Sequence, residues 1–113
     1  MMNKNQKHFF MHEDDRRILF EWIPDASFRS AKAVVAKSNS VIGDHYHKKK
    51  DEVFFLLSGR VRRVGVGVVE EFDVSAPKKW FAGKGEHHVF ELEKGAILLS
   101  AATDIFDPDD EIK

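Results

Sequence analysis

Apolar residues in this chain come in short runs that alternate with polar ones at a period of two, and turn-forming residues interrupt them at short spacing. Ile18-Leu19-Phe20-Glu21-Trp22 reads as a strand ended by the turn signal Pro24-Asp25. Ser30 to Ala36 is the next such run, Lys37 to Ser40 the turn after it, and Val41 and Ile42 open a third. In Glu52 to Leu57 the alternation puts Glu52, Phe54 and Leu56 on one face and Val53, Phe55 and Leu57 on the other. A strand apolar on both faces belongs in the middle of a barrel or sandwich, or has one face covered by a partner subunit. Arg60 to Val74 reads as a hairpin bending near Gly65 and Gly67. Lys79 to Phe81 begins another short strand, Gly83 to Leu92 is a glycine turn feeding an alternating run, and Ala96 to Ala102 follows the turn Glu93 to Gly95. No long window has the helical period, although a short terminal helical turn is compatible with the pattern. The prediction is an all-β chain, a small antiparallel barrel or jelly roll. Residues 1–13 are expected to be a loose N-terminal segment or an edge strand, and 104–113 an acidic, solvated tail.

Length changes this picture only by limiting it to one domain over residues 1–113, since half of such a chain would bury too little surface to be stable alone. The net charge of -1, with both signs interspersed, supplies no basic field, which argues against a nucleic-acid partner. The chain has no cysteine, so any metal must be held by nitrogen and oxygen. No apolar run approaches a membrane span, and the opening residues lack the apolar stretch of a signal peptide, so the expected location is the cytoplasm.

The chemistry concentrates between Gly43 and Gly59. His45 and His47 are two apart, so on a strand both imidazoles leave one face, within reach of one ion. Glu52 lies five residues after His47, a spacing that would put it on the opposite face of an unbroken strand. The chain must therefore break between them, and the polar insert Lys48-Lys49-Lys50-Asp51 is where the break is expected.

His45, His47, Glu52 and Gly59 match at every position the first motif of the cupins: histidine, one residue, histidine, three or four residues, glutamate, six residues, glycine. Gly85, followed by His88 and Phe90, is similar to the second motif, which supplies one more histidine on a strand after a glycine-containing turn. The chain departs from these patterns at Asn39, where the first motif opens with glycine, and at Gly83 and His87, where the second has prolines. The resemblance covers roughly residues 30 to 105 and implies the double-stranded β-helix of that superfamily. A second resemblance, to the cupin-fold isomerases and epimerases of nucleotide-linked sugars, lies in Asp15 to Leu19 and in the acidic tail from Phe106 to Ile112. Arg17 replaces a glycine of that entry segment, and the tail lacks the usual tyrosine. Tyr46, between two inward histidines, is expected to point outward.

The resemblance implies His45, His47, Glu52 and His88 as ligands of one divalent transition metal ion, with Mn, Fe, Co, Ni, Cu and Zn all compatible with three imidazoles and a carboxylate. His88 is chosen over His87 because Phe90, two residues on, would line the same interior. The same groups can instead form a metal-free polar cluster, paired with one another. The expected activity is isomerisation or epimerisation of a small carbohydrate-like or nucleotide-sugar molecule, with His87 or Glu86 near the rim as general base. Phe54, Trp80 and Phe90 are candidate walls for the ligand, and Lys48 a candidate anion-steering cation; Arg60, Arg62 and Arg63 are expected to be outward charges on their hairpin. An Fe- or Mn-dependent dioxygenase and a non-catalytic small-molecule-binding or sensing module are the alternatives. The two-sided apolar run of Val53 to Leu57 adds the expectation of a homodimer.

Overall fold

Residues 10–22, 28–65, 67–105 and 107–112 are described by the computed structural model. Residues 1–9 and the Pro24-Asp25 turn signal lie outside them. Strands β1 (Phe10–Glu13) and β2 (Ile18–Glu21) form an antiparallel hairpin of their own. The turn between them is held by Asp14, whose carboxylate accepts the backbone N–H groups of Arg16 and Arg17. The other strands are β3 (Ser30–Val35), β4 (Ser40–His47), β5 (Glu52–Ser58), β6 (Arg60–Arg63), β7 (Val68–Glu71), β8 (Lys79–Ala82), β9 (His88–Leu92), β10 (Ile97–Ala102) and β11 (Glu111–Ile112). They make two antiparallel sheets, one in the order β3-β10-β5-β8 and the other β11-β4-β9-β6-β7. This is an all-β jelly roll, and none of its described helical turns is long or apolar enough to cross a membrane.

The core lies between the two sheets, where the inward residues of β5 (Phe54, Leu56), β6 (Val61), β9 (Phe90, Leu92) and β10 (Leu98) are all at most 3% exposed. Alternation along β5 sends Val53 and Phe55 to the other face, yet they too are buried. Phe20 and Trp22, carried by and just beyond β2, pack on Phe55 with ring centroids 5.2 and 5.7 Å away, Phe20 tilted and Trp22 stacked. The second apolar face is thus covered from within the chain, and the covering does not require a partner subunit.

The polar insert after His47 does break the strand, and its backbone is tied down from two sides. Asp51 exchanges hydrogen bonds with Thr103, donating its N–H to the threonine hydroxyl and accepting the Thr103 N–H. The N–H groups of Lys48 and Lys49 donate to the Asp110 carboxylate at 2.9 and 2.7 Å. Asp110 closes a short 3-10 turn, Pro108–Asp110, that leads into β11 on the edge of β4. The tail is therefore not simply solvated: Asp110 is 2% exposed and anchors the loop at the end of β4. Lys50, expected in a solvated loop, is buried as well.

Candidate functional site

The facing of His45 and His47 towards His88 depends on a local irregularity in β4 that the strand period alone would not produce. Gly43 and Asp44 both have positive φ, 88° and 64°, and the register of β4 against β9 shifts there. Gly43 faces Val89 and His45 faces His88, so Asp44 is the extra residue of a β-bulge. Without the bulge His45 would fall opposite His87, outside the interior. With it, Ile42, His45 and His47 all face inward despite their odd spacing. Gly43 is needed at this point, since a Cβ there would lie 2.8 Å from the His88 carbonyl oxygen. Glu52 arrives from the other sheet as the first residue of β5, and Ser100 on β10 donates its hydroxyl to Glu52 Oε2 at 3.1 Å.

One ligating atom each from His45, His47, Glu52 and His88 lies within 4.8 Å of every other. His47 Nε2 is 2.8 Å and His88 Nε2 3.6 Å from Glu52 Oε1. The rings of His45 sit 4.6 and 4.7 Å, centroid to centroid, from those of His47 and His88. Donors bound to a common ion at about 2.0–2.2 Å stand no more than about 4.4 Å apart, so a contraction of a few tenths of an ångström completes the shell.

The protonation pattern fits an ion too. If His47 donates from Nε2 to Glu52, its buried Nδ1 is left without a hydrogen bond, facing Asp110 Oδ2 at 3.6 Å as acceptor against acceptor. If Nε2 instead ligates, Nδ1 carries the proton and points it at the carboxylate, the arrangement in which a second carboxylate orients a ligating imidazole. His88 Nδ1 is likewise buried, with a contact to the Glu86 backbone that falls short of a hydrogen bond. Burial pushes the His88 imidazolium down to about pKa 4, helped by the neighbouring His45 and His47 and opposed by the charge of Glu52. Burial, with His47, lowers His45 also. Both rings are therefore neutral near pH 7, the form that binds metal.

A cavity of about 250 Å³ opens beside the cluster. Phe54 and Phe90 form part of its apolar wall, with Val34, Ile42 and Leu98, and Lys32 on β3 stands at its edge, its Nζ 4.0 Å from Glu52 Oε2. The remaining candidates lie elsewhere. Trp80, Glu86 and His87 line a smaller cavity on the other side of His88 and Phe90. His87 is half exposed, with Nε2 3.1 Å from Asp44 Oδ1, and Glu86 takes the Gly83 N–H. Neither borders the cavity beside the cluster: His87, next to the inward His88, points away from the interior, and Glu86 belongs to the turn before β9. Lys48 is exposed and lines neither cavity; its contribution to the site is the backbone N–H given to Asp110. Tyr46 also borders neither.

Asp110, Ser100 and Lys32 belong to the site and were missed from the sequence. Asp110 is hidden in an acidic run whose usual reading is a solvated end. Lys32 and Ser100 carried a signal, since each stands two residues from an apolar residue of its own run, Val34 and Leu98, that lines the same cavity.

No protein-family model and no curated protein matches the chain. Solved structures do. The RmlC epimerase of Mycobacterium tuberculosis superposes with a TM-score of 0.73 at 16% identity, over 91% of this chain and 64% of that one. The QdtA 3,4-ketoisomerase of Thermoanaerobacterium thermosaccharolyticum, solved as a double mutant in complex with TDP, gives 0.69 at 22% identity over 92% and 82%. The capsular polysaccharide assembling protein CapF of Staphylococcus aureus gives 0.60 at 21% identity, over 93% of this chain and 32% of CapF. This chain thus spans about a third of CapF. The fold is the jelly roll that these three structures share.

Proposed function

We propose that the protein is a metal-dependent cupin that isomerises or epimerises a small carbohydrate-like molecule, with nucleotide-linked sugars as the substrate class. The observation that carries this reading is the convergence of His45, His47, Glu52 and His88 from both sheets onto one point beside a cavity of about 250 Å³. Likeness to structures of RmlC, QdtA and CapF supports the substrate class, as the first two are an epimerase and a ketoisomerase and QdtA holds TDP.

In this reading the four residues hold a divalent ion, and Asp110 and Ser100 orient His47 and Glu52 respectively. Such an ion supplies Lewis acidity, which favours the carbonyl and enediolate forms through which a proton is lost and regained beside a ketone. Val34, Ile42, Phe54, Phe90 and Leu98 exclude water from one side of the ligand. Lys32, whose ammonium lies at the cavity edge, is the residue suited to orient polar groups and to donate a proton there, whereas His87 and Glu86 border the other cavity. A symmetric homodimer remains part of the reading. Its support is now β3, an edge strand among the described residues with Val35 60% exposed.

Elemental analysis of tag-free protein, beside His47→Ala, tests the metal: near-stoichiometric ion lost in the variant is expected, and its absence from wild type even after incubation with Mn, Fe, Ni and Zn refutes it. The loaded protein is then incubated in D₂O with a dTDP-linked 4-keto sugar, and deuterium is sought at the carbons next to the ketone. Lack of exchange with a full metal site would leave a binding module.

A further inference from the structure

Three arginines occupy β6, and they are not equivalent. Arg60 and Arg62 face outward and are paired, Arg60 with Glu93 at 3.2 Å and Arg62 with Glu91 at 2.6 Å. Arg63 shares the opposite face with Val61, which is 1% exposed. It has no carboxylate partner among the described residues, and its buried Nε makes no hydrogen bond. Its guanidinium lies 5.3 Å from the ring centre of Trp80 on β8. Trp80 Nε1, also buried, has no acceptor either.

Both side chains line one cavity of about 80 Å³ in the seam between the sheets. Phe54, Trp80 and Phe90, with centroids 4.8 to 6.3 Å apart, form an aromatic cluster beside the larger cavity, so the two spaces are separate. Buried donors without acceptors are costly, and two of them bordering one small space, one belonging to a cation, call for an acceptor that carries negative charge. Sugar or nucleotide pockets run to several hundred cubic ångströms, whereas a space of about 80 Å³ takes a single small group.

We infer that the Arg63–Trp80 seam is a second binding site, behind the His88 and Phe90 wall that it shares with the histidine cavity, and that it takes one oxyanion group, a phosphate or a carboxylate. The inference does not depend on the metal reading. Glu86 at the edge of the seam opposes the anion and sets its affinity, with its Oε1 partly occupied by the Gly83 N–H.

The two tryptophans give two indole N–H signals in a ¹H–¹⁵N spectrum, assigned with Trp22→Phe. Inorganic phosphate and acetate are titrated separately at constant ionic strength. The Trp80 signal is expected to move and saturate with at least one of them, which also names the oxyanion. Arg63→Gln is expected to weaken that binding about tenfold to a hundredfold. Arg62→Gln, a surface control, is expected to leave it unchanged. Glu86→Gln is expected to tighten it. Should Arg63→Gln not fold, Arg63→Lys, which keeps the charge and loses the planar fork, is expected to weaken binding several-fold. A Trp80 signal that does not move with either anion in wild type, showing a seam filled by water, overturns the inference. So does a shift that persists undiminished in the Arg63 variant.

Discussion

The residue that most changes the reading of this site is Asp110. Its carboxylate takes two loop N–H groups and faces His47 Nδ1, so it acts on the loop and on the cluster together. Asp110→Asn keeps the shape and removes the charge that would hold the imidazole proton. Metal affinity, measured by competition with a chelator, is expected to fall about 10- to 100-fold, as for other carboxylates behind a ligating histidine. An unchanged affinity would restrict Asp110 to anchoring the loop. His88 supports a second expectation. Burial holds its folded pKa at about 4, below the ordinary 6.5, so the unfolded chain binds more protons between those values. Stability of the metal-free protein is expected to fall as pH drops from about 6.5 towards 4, with His45 contributing in the same direction. Urea midpoints across that window check it, and His88→Asn is expected to flatten the slope. Of the four converging residues, His45 and His47 were legible from spacing, because the period of a strand fixes which side chains share a face, while Glu52 and His88 were reached only through the resemblance to the cupin motifs. Asp110 was not, because no periodicity ties a tail to a strand more than sixty residues away. Arg63 lay between these cases: it stands two residues after Val61, so alternation already pointed it inward, but the neighbouring arginines drew it into a single outward group.

At the scale of elements, the strands followed from alternation and turn residues, and the break after His47 from the mismatch between a spacing of five and a period of two. The bulge in β4 did not follow, since Gly43-Asp44 reads as an ordinary polar step until β9 is placed beside it. Yet the bulge is what brings His45 opposite His88. Gly43→Ala forces a side chain onto φ 88° and against the His88 carbonyl oxygen at 2.8 Å. The expected cost is about 2–4 kcal/mol of stability, combining left-handed backbone strain with the clash. If β4 then slips by one residue to avoid it, His45 leaves the interior and the proposed metal site is lost with it. Denaturant unfolding and metal content of Gly43→Ala distinguish the two results, and a variant with both unchanged would show that the bulge can form without glycine. β11, only two residues long, carries no pattern of its own and exists through its pairing with His47 and Tyr46.

For the molecule as a whole, the apolar face of Val53 and Phe55 was read correctly as needing a cover, but sequence alone left open whether the cover came from another chain. The answer depends on where the β1–β2 hairpin packs, which no local pattern encodes. Phe20 and Trp22 are only partly buried themselves, so each contributes about 1–2 kcal/mol by its contact with Phe55, less than a fully buried aromatic would. Their joint effect is larger in solution behaviour than in stability, because removing them uncovers a continuous apolar strip on β5, the most buried strand of its sheet. A chain lacking residues 1–22 is therefore expected to bind an apolar dye strongly and to associate with itself, seen by light scattering, while Phe20→Ala/Trp22→Ala does so more weakly. Should the shortened chain instead remain monodisperse and unfold at the wild-type midpoint, the hairpin would not be the cover. The exposed face would then be the place to look for the second subunit. With the cover in place, a dimer must use another surface, and the edge of β3 beside Lys32, unpaired among the described residues, would bring the partner to the rim of the histidine cavity.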